Sequence, residues 1–213
     1  PVHAVTQDDA DMTSVEKAEF RVDPADFLLH VKSRRSIRRF QERKLTHDEV
    51  EYILQAGRFT ETAKNTQAVR YIFVQDQLDE FKALVWKGWK NYCNKLLEEG
   101  DPNGKRYMAY YDKWEQDHDN DRLFFNAPGV LLVLAEHPLD GGLAAANIEN
   151  MAVAMGIGVL FDGYIVRALR VCPEAMDWLD AKDLPVRAAM LLGYPAVSYP
   201  NTAPRKPLRL EWK

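Results

Sequence analysis

The stretch Arg34-Arg35-Ser36-Ile37-Arg38-Arg39-Phe40 places four guanidiniums and one hydroxyl within six residues. An Arg side chain stays charged and presents a planar fork of donors, so such a cluster suits a phosphate, which it can grip through paired hydrogen bonds that a Lys ammonium does not imitate. Ser36 can add a neutral donor. Ile37 and Phe40 are apolar and should point inward, anchoring the run. The bland alternative is a solvated basic face or a nucleic-acid patch, and these seven residues alone leave both readings open. Charge balance favours one bound anion: Lys32 to Lys44 holds seven basic residues and one acid, a local excess of +6, yet the whole chain is 28 − 32 = −4 with a pI of about 5.8. A nucleic-acid surface generally needs a basic stripe and a high pI.

Other residue types point away from metals and thiol chemistry. Cys93 and Cys172 stand alone without CxxC spacing, and the five His residues are scattered, so no zinc site or disulfide framework is indicated. The two thiols are expected in the core. Neither GxGxxG after a first strand nor GxxxxGK[ST] occurs, so phosphate binding must come from side chains. At 213 residues and 46% apolar content the chain can bury a core of its own. No run reaches the ~18 apolar residues of a membrane span, and the polar start PVHAVTQDDADMT is unlike a signal peptide. A cytoplasmic protein is expected. The chain begins at Pro1 without Met, which leaves room for an upstream electron-transfer module, although residues 1–33 hold no Cys to ligate an iron–sulfur cluster.

The elements that must position the arginines follow from periodicity and caps. Residues 1–22 show no hydrophobic period and read as a flexible arm, leaving 23–213 as a single domain. Asp23-Pro24 reads as an N-cap and a first-turn Pro, opening a helix through Phe27, Leu28 and Val31 that delivers the chain to Arg34. Thr46-His47-Asp48-Glu49 has capping-box form and starts a helix ending near Gly57. A polar turn, Thr62 to Gln67, feeds a strand at 69–74, and a polar loop at a strand entrance is a good place for a site. A helical excursion spans about 77–125, broken at Gly100 to Gly104. Its Trp86, Trp89, Tyr92, Tyr107, Tyr110, Tyr111 and Trp114 read mostly as packing core, with a minority free to line a pocket for a flat ligand. Asp117 to Arg122 reads as a surface loop. Gly129 to Leu134 is apolar throughout and reads as a central strand buried on both faces. The Ala-rich stretch 141–156 reads as a helix buried nearly all round, open to close approach by a second subunit. A strand and tight turn over 158–164, a further helix, a strand at 186–192 and an irregular Pro-rich tail complete the chain.

Five segments in this order, RRSIRRF at 34–40, AKNTQ at 63–67, NAPGVLLVL at 126–134, the Ala-rich helix with GIGVLFDGY at 156–164, and LLGYP with PRKPL at 191–208, make the sequence resemble the FMN-dependent nitroreductase family. The resemblance implies an α+β sandwich with a central, mostly antiparallel sheet flanked by helices, in an entwined homodimer that binds FMN at its interface. It implies FMN contacts from Arg34, Arg35, Ser36 and Arg38, ring hydrogen bonds from Asn65 and Gln67, and a turn on one flavin face from Phe161, Asp162 and Gly163. Arg205, with Lys206, would complete the phosphate site. NADH or NADPH would be the co-substrate and a small electron-poor molecule, a nitroaromatic or quinone, the acceptor, in a ping-pong cycle that needs no catalytic side chain and no metal. A family member with another electron donor, or a non-catalytic flavin sensor, are the rival readings. Ala68-Val69 stands where many members carry Pro and an aromatic, so the pocket wall there should differ.

Overall fold

A computed structural model describes residues 21–213, and the expected arm over 1–22 lies almost entirely outside them. Helix α1 (Pro24–Ser33) starts where Asp23 accepts from the Ala25 and Asp26 N–H groups, and α2 (His47–Arg58) opens with the complete Thr46/Glu49 capping box. Strand β1 (Arg70–Val74) follows, then α3 (Leu78–Glu98) and α4 (Asn103–Gln116), which form the excursion. Strand β2 (Gly129–Leu134) leads to α5 (Pro138–Ala154), then β3 (Gly158–Phe161) and α6 (Gly163–Leu169). The short α7 (Pro173–Trp178) and β4 (Val186–Gly193) end the regular structure.

The four strands form one antiparallel sheet in the order β1-β2-β4-β3. Side chains alternate across a strand, and β2 shows the consequence. Val130, Leu132 and Leu134 enter one core with α3, α6 and α7, while Leu131 and Val133 enter the other with α2 and α5. A strand apolar at every position is thereby buried on both sides, each side chain contributing about 1.5–3 kcal/mol. Trp86, Trp89, Cys93 and Cys172 are buried in the first core, as their types suggested. The sheet therefore divides the chain into an α+β sandwich, as expected.

Two expectations need correction. Asp117 to Arg122 is not wholly a surface loop: the Asp121 side chain is buried and accepts from the Leu123 and Phe124 N–H groups at 3.2 and 2.8 Å. A run of charges hides a capping residue, because charge alone does not show which carboxylate turns inward. The second concerns α5, which begins at Pro138 and buries only one face, through Asp140, Gly141, Ala144, Ala145, Ile148 and Ala152. Its Leu139 and Leu143 are exposed within this chain.

The turn into β3 fixes the site's far wall. Gly156 takes a left-handed φ of 76°, which glycine adopts without steric cost. The Ile157 N–H then reaches back to the Ala152 carbonyl at 2.8 Å, closing α5 and sending the chain straight into β3.

Candidate functional site

The chain segment leaving α1 is pinned to β3, since the Ile37 N–H donates to the Val159 carbonyl at 3.0 Å and Ser36 pairs with Val159 in a parallel bridge. Ile37 is buried against Gly158, so its neighbours Ser36 and Arg38 are held facing outward. The C-terminal tail returns to the same place. Phe40 bridges to Pro195, the Gln41 N–H donates to the Tyr194 carbonyl at 2.8 Å, and the tail beyond passes over the arginines.

A cavity of about 460 Å³ results, lined by Arg34, Arg35, Ser36, Arg38 and Arg205 together with Glu149 and Tyr199. Residues from the two ends of the chain thus share one polar hollow. Arg34 is tied to Glu149 by an ion pair and donates through Nε to the Val31 carbonyl. The Arg35 guanidinium lies 4.4 Å from the centre of the Tyr199 ring. Four guanidiniums against one carboxylate leave an excess of +3, which fits a dianionic phosphate. Lys206 is exposed and does not line this cavity.

Arg38 links the cavity to the turn after β3. Asp162 is 5% exposed and caps α6, accepting from the Tyr164 and Ile165 N–H groups at 2.7 and 3.1 Å. Burial pushes its carboxyl up to about 6, opposed by those two hydrogen bonds; nearby Asp121 adds to the rise and Arg38 works against it. Asp121 is also pushed up, chiefly by burial; Lys82 Nζ stands 3.4 Å from its Oδ2 without closing a hydrogen bond. Phe161 before the turn and Gly163 after it are exposed. The Gly163 N–H makes no hydrogen bond among the described residues, in contrast to the Asp162 N–H, which donates to the Ala189 carbonyl at 2.8 Å. A free, outward donor beside a cationic hollow can serve an acceptor atom of a bound ligand.

Asn65 and Gln67 sit elsewhere in the chain. Their loop is conformationally strained: Lys64, Asn65 and Gln67 have φ of 56°, 53° and 51°, a region sparsely used by residues other than glycine. Backbone bonds from the Asn65 N–H to the Thr62 carbonyl at 2.9 Å and from the Thr66 N–H to the Ala63 carbonyl at 3.2 Å close it, and three contacts to side chains hold it. The Ala63 N–H donates to both Asp140 oxygens at 3.2 and 3.3 Å, the Gln67 N–H to Thr62 Oγ1 at 2.9 Å, and Gln67 Nε2 to Asn65 Oδ1 at 3.2 Å. Gln67 lines a separate cavity of about 370 Å³ with Tyr71 and Thr60, and neither Asn65 nor Gln67 lines the arginine cavity. One chain therefore brings together the two ends of the predicted set but not this loop. A larger cavity of about 610 Å³ at the free edge of β1 holds none of the predicted residues.

Sequence reasoning missed Glu149 and Tyr199. A signal existed for Glu149, the only acid in the helix between Gly141 and Gly156, a placement that requires a cationic partner. Nothing in the tail distinguishes Tyr199 from the surrounding turn residues.

The antiparallel sheet with helices on both faces and a cationic hollow beside a strand-to-helix turn defines an α+β sandwich with an anion-suited cavity, and comparison with known proteins specifies it. The profile of the Nitroreductase family matches residues 31–194, well over half of the chain, and the chain belongs to that family. Among solved structures it is similar to a nitroreductase with bound FMN from Desulfitobacterium hafniense (22% identity, 86% of this chain and 97% of that one, TM-score 0.67). Similar also are a nitroreductase with bound FMN from Bacteroides fragilis (17%, 87% and 98%, TM-score 0.70) and a BluB-like flavoprotein from Clostridium difficile (16%, 85% and 94%, TM-score 0.63). A search of curated protein sequences finds no match. Within the described residues no helix is long and apolar enough to cross a membrane, and no cluster of metal-ligating side chains occurs.

Proposed function

We propose that this chain is an FMN-dependent oxidoreductase using NADH or NADPH and working as a homodimer. The observation that carries the reading is the convergence of Arg34, Arg35, Ser36 and Arg38 with Arg205 on one cavity. An FMN phosphate carries nearly two negative charges at neutral pH, and the excess of +3 in that hollow suits it. FMN held there by the arginines and the Gly163 N–H would supply two-electron redox chemistry, relaying reducing equivalents from a nicotinamide to an electron-poor acceptor such as a nitroaromatic or quinone.

The chain's own residues bind and orient. Arg35, Arg38 and Arg205 donate to the phosphate, each charge-assisted bond contributing about 1.5–3 kcal/mol. Arg34 is shared with Glu149, which fixes its direction before a ligand arrives. The Gly163 N–H donates to the ring edge. Asn65 and Gln67 hydrogen-bond the ring of the cofactor held by the second chain; within one chain they are apart from the arginines. That separation is what favours two chains per site. The 23–213 segment would be the single FMN-binding unit.

An absorbance spectrum of the protein as purified, followed by anaerobic addition of each nicotinamide, tests this. A flavin band that bleaches within seconds is expected, and the cofactor released by denaturation should be FMN. Arg38→Ala should weaken FMN retention by about tenfold or more, the worth of one charge-assisted bond, whereas Arg39→Ala, outside the cavity, should leave it near wild type. Protein that is colourless and takes up no FMN refutes the proposal; bound FMN that neither nicotinamide bleaches assigns the chain a different donor.

A further inference from the structure

Directly beyond the Asp162-Gly163 turn the chain builds a surface that the cofactor reading does not use. Arg167, one helical turn into α6, folds its guanidinium back so that Nη1 lies 3.8 Å from where a Gly163 Cβ would stand. Its Cζ is 5.6 Å from the centre of the Tyr164 ring, and it makes no hydrogen bond or ion pair among the described residues. Tyr164 belongs to a wall of three phenols from two elements: its ring centre is 5.4 Å from Tyr107 and 6.3 Å from Tyr110. All three are only partly buried, and Trp89 backs Tyr164 at 5.0 Å and Tyr107 at 5.3 Å. At the other side of the wall stands Arg106, 4.9 Å from the Tyr107 ring. It donates to the Tyr107 hydroxyl and Asn103 Oδ1 and makes no ion pair among the described residues. Two exposed guanidiniums without an acidic partner among the described residues thus bracket an aromatic wall beside the exposed Gly163.

We propose that this wall selects the acceptor, and that the acceptor is an aromatic carrying a carboxylate. The assignment rests on the reading of Gly163 as the flavin edge. The phenol faces stack on the flat ring, and Arg167 takes the carboxylate through its two-pronged fork, with Arg106 adding a second cation. A neutral flat acceptor of the same size leaves both guanidiniums without a partner and gains only the stacking. For a nitroarene acid the overall step balances as nicotinamide hydride plus one proton and Ar–NO2 giving oxidised nicotinamide, Ar–NO and water; two electrons pass and one N–O bond breaks. Arg167 touches the substrate but neither donates nor accepts a proton in it.

Two measurements on the FMN-loaded protein test this. Benzoate, which cannot be reduced, should perturb the flavin spectrum on binding at least about tenfold more tightly than benzamide, the difference expected of one charge-assisted pair. In steady state, the ratio of kcat/KM for 4-nitrobenzoate over 4-nitrobenzyl alcohol should fall about tenfold in Arg167→Gln, while Arg170→Gln, an exposed arginine at the end of the same helix, keeps the wild-type ratio. Equal affinity for benzoate and benzamide, an unchanged ratio in Arg167→Gln, or a rise confined to the KM for the nicotinamide overturns the inference while leaving the proposed function standing. Protein that retains no FMN overturns both.

Discussion

Asp162 serves two roles with opposite demands on its charge. As the cap of α6 it accepts two backbone N–H bonds, which are strongest to the anion; buried, it is penalised for being an anion, and burial wins, raising its carboxyl to about 6. A raised value in the fold means that the folded chain holds the proton more tightly than the unfolded one does. The associated stability is therefore complete below the unfolded value near 3.8 and is lost as pH rises through about 6, a change of roughly 3 kcal/mol across that window. Asp162→Asn keeps an acceptor oxygen for the cap and has no charge to bury. Urea midpoints taken from pH 4 to 7 should show wild type losing stability relative to the variant as pH rises; parallel curves would mean that Asp162 is not desolvated. The residue itself was legible because the GIGVLFDGY segment marks its turn. Asp121 was not, since in a run of charged and amide residues only three-dimensional packing decides which side chain is taken inward.

At the scale of elements, propensity and capping predicted well wherever a helix end or strand carries its own chemistry. Thr46 with Glu49, Asp23 with Pro24, and the unbroken apolar run of β2 each specify their element locally. The short α7 starts at Pro173 after Cys172, a sequence with a first-turn Pro but no capping side chain, and passes unnoticed for that reason. How elements approach each other is less visible. Within α3, a Cβ on Gly88 would lie 2.6 Å from the Ala168 carbonyl oxygen and 2.7 Å from Cys172 Cβ, so α3 and α6 meet backbone to backbone at that point. Gly88→Ala should destabilise the fold by about 1–3 kcal/mol, the usual range for overpacking, despite the better helix propensity of Ala. Thermal unfolding measures it, and a stabilised variant would show that the helices slide apart freely. Because α6 carries Arg167 and the Asp162 cap, the same contact fixes the aromatic wall against the turn.

The whole molecule leaves apolar surface that its own chain does not cover. Leu208, Leu210 and Trp212 are exposed, the last at 89%, and alternate with Arg209, Glu211 and Lys213, the pattern of a strand with one face meant for burial. Phe27, Leu28 and Leu29 of α1 and Leu139 and Leu143 of α5 are exposed as well, while β1 has a free edge. These surfaces are where the proposed dimer would form. Light scattering should give twice the 24.5 kDa of one chain, and removal of residues 208–213 should shift the protein towards the single-chain mass at micromolar concentration. A wild-type chain of single mass would exclude the dimer. The sequence pointed to the residues proposed for the site but not to the separation of Asn65 and Gln67 from the arginines within one chain, because assembly is a property of surfaces rather than of spacing. The Arg34–Glu149 pair has one more effect. A hollow kept cationic and pre-aimed before any nucleotide arrives is equally hospitable to free inorganic phosphate, so charging the protein with its cofactor becomes an exchange reaction, and grip on the ring rather than on the anion decides which occupant stays.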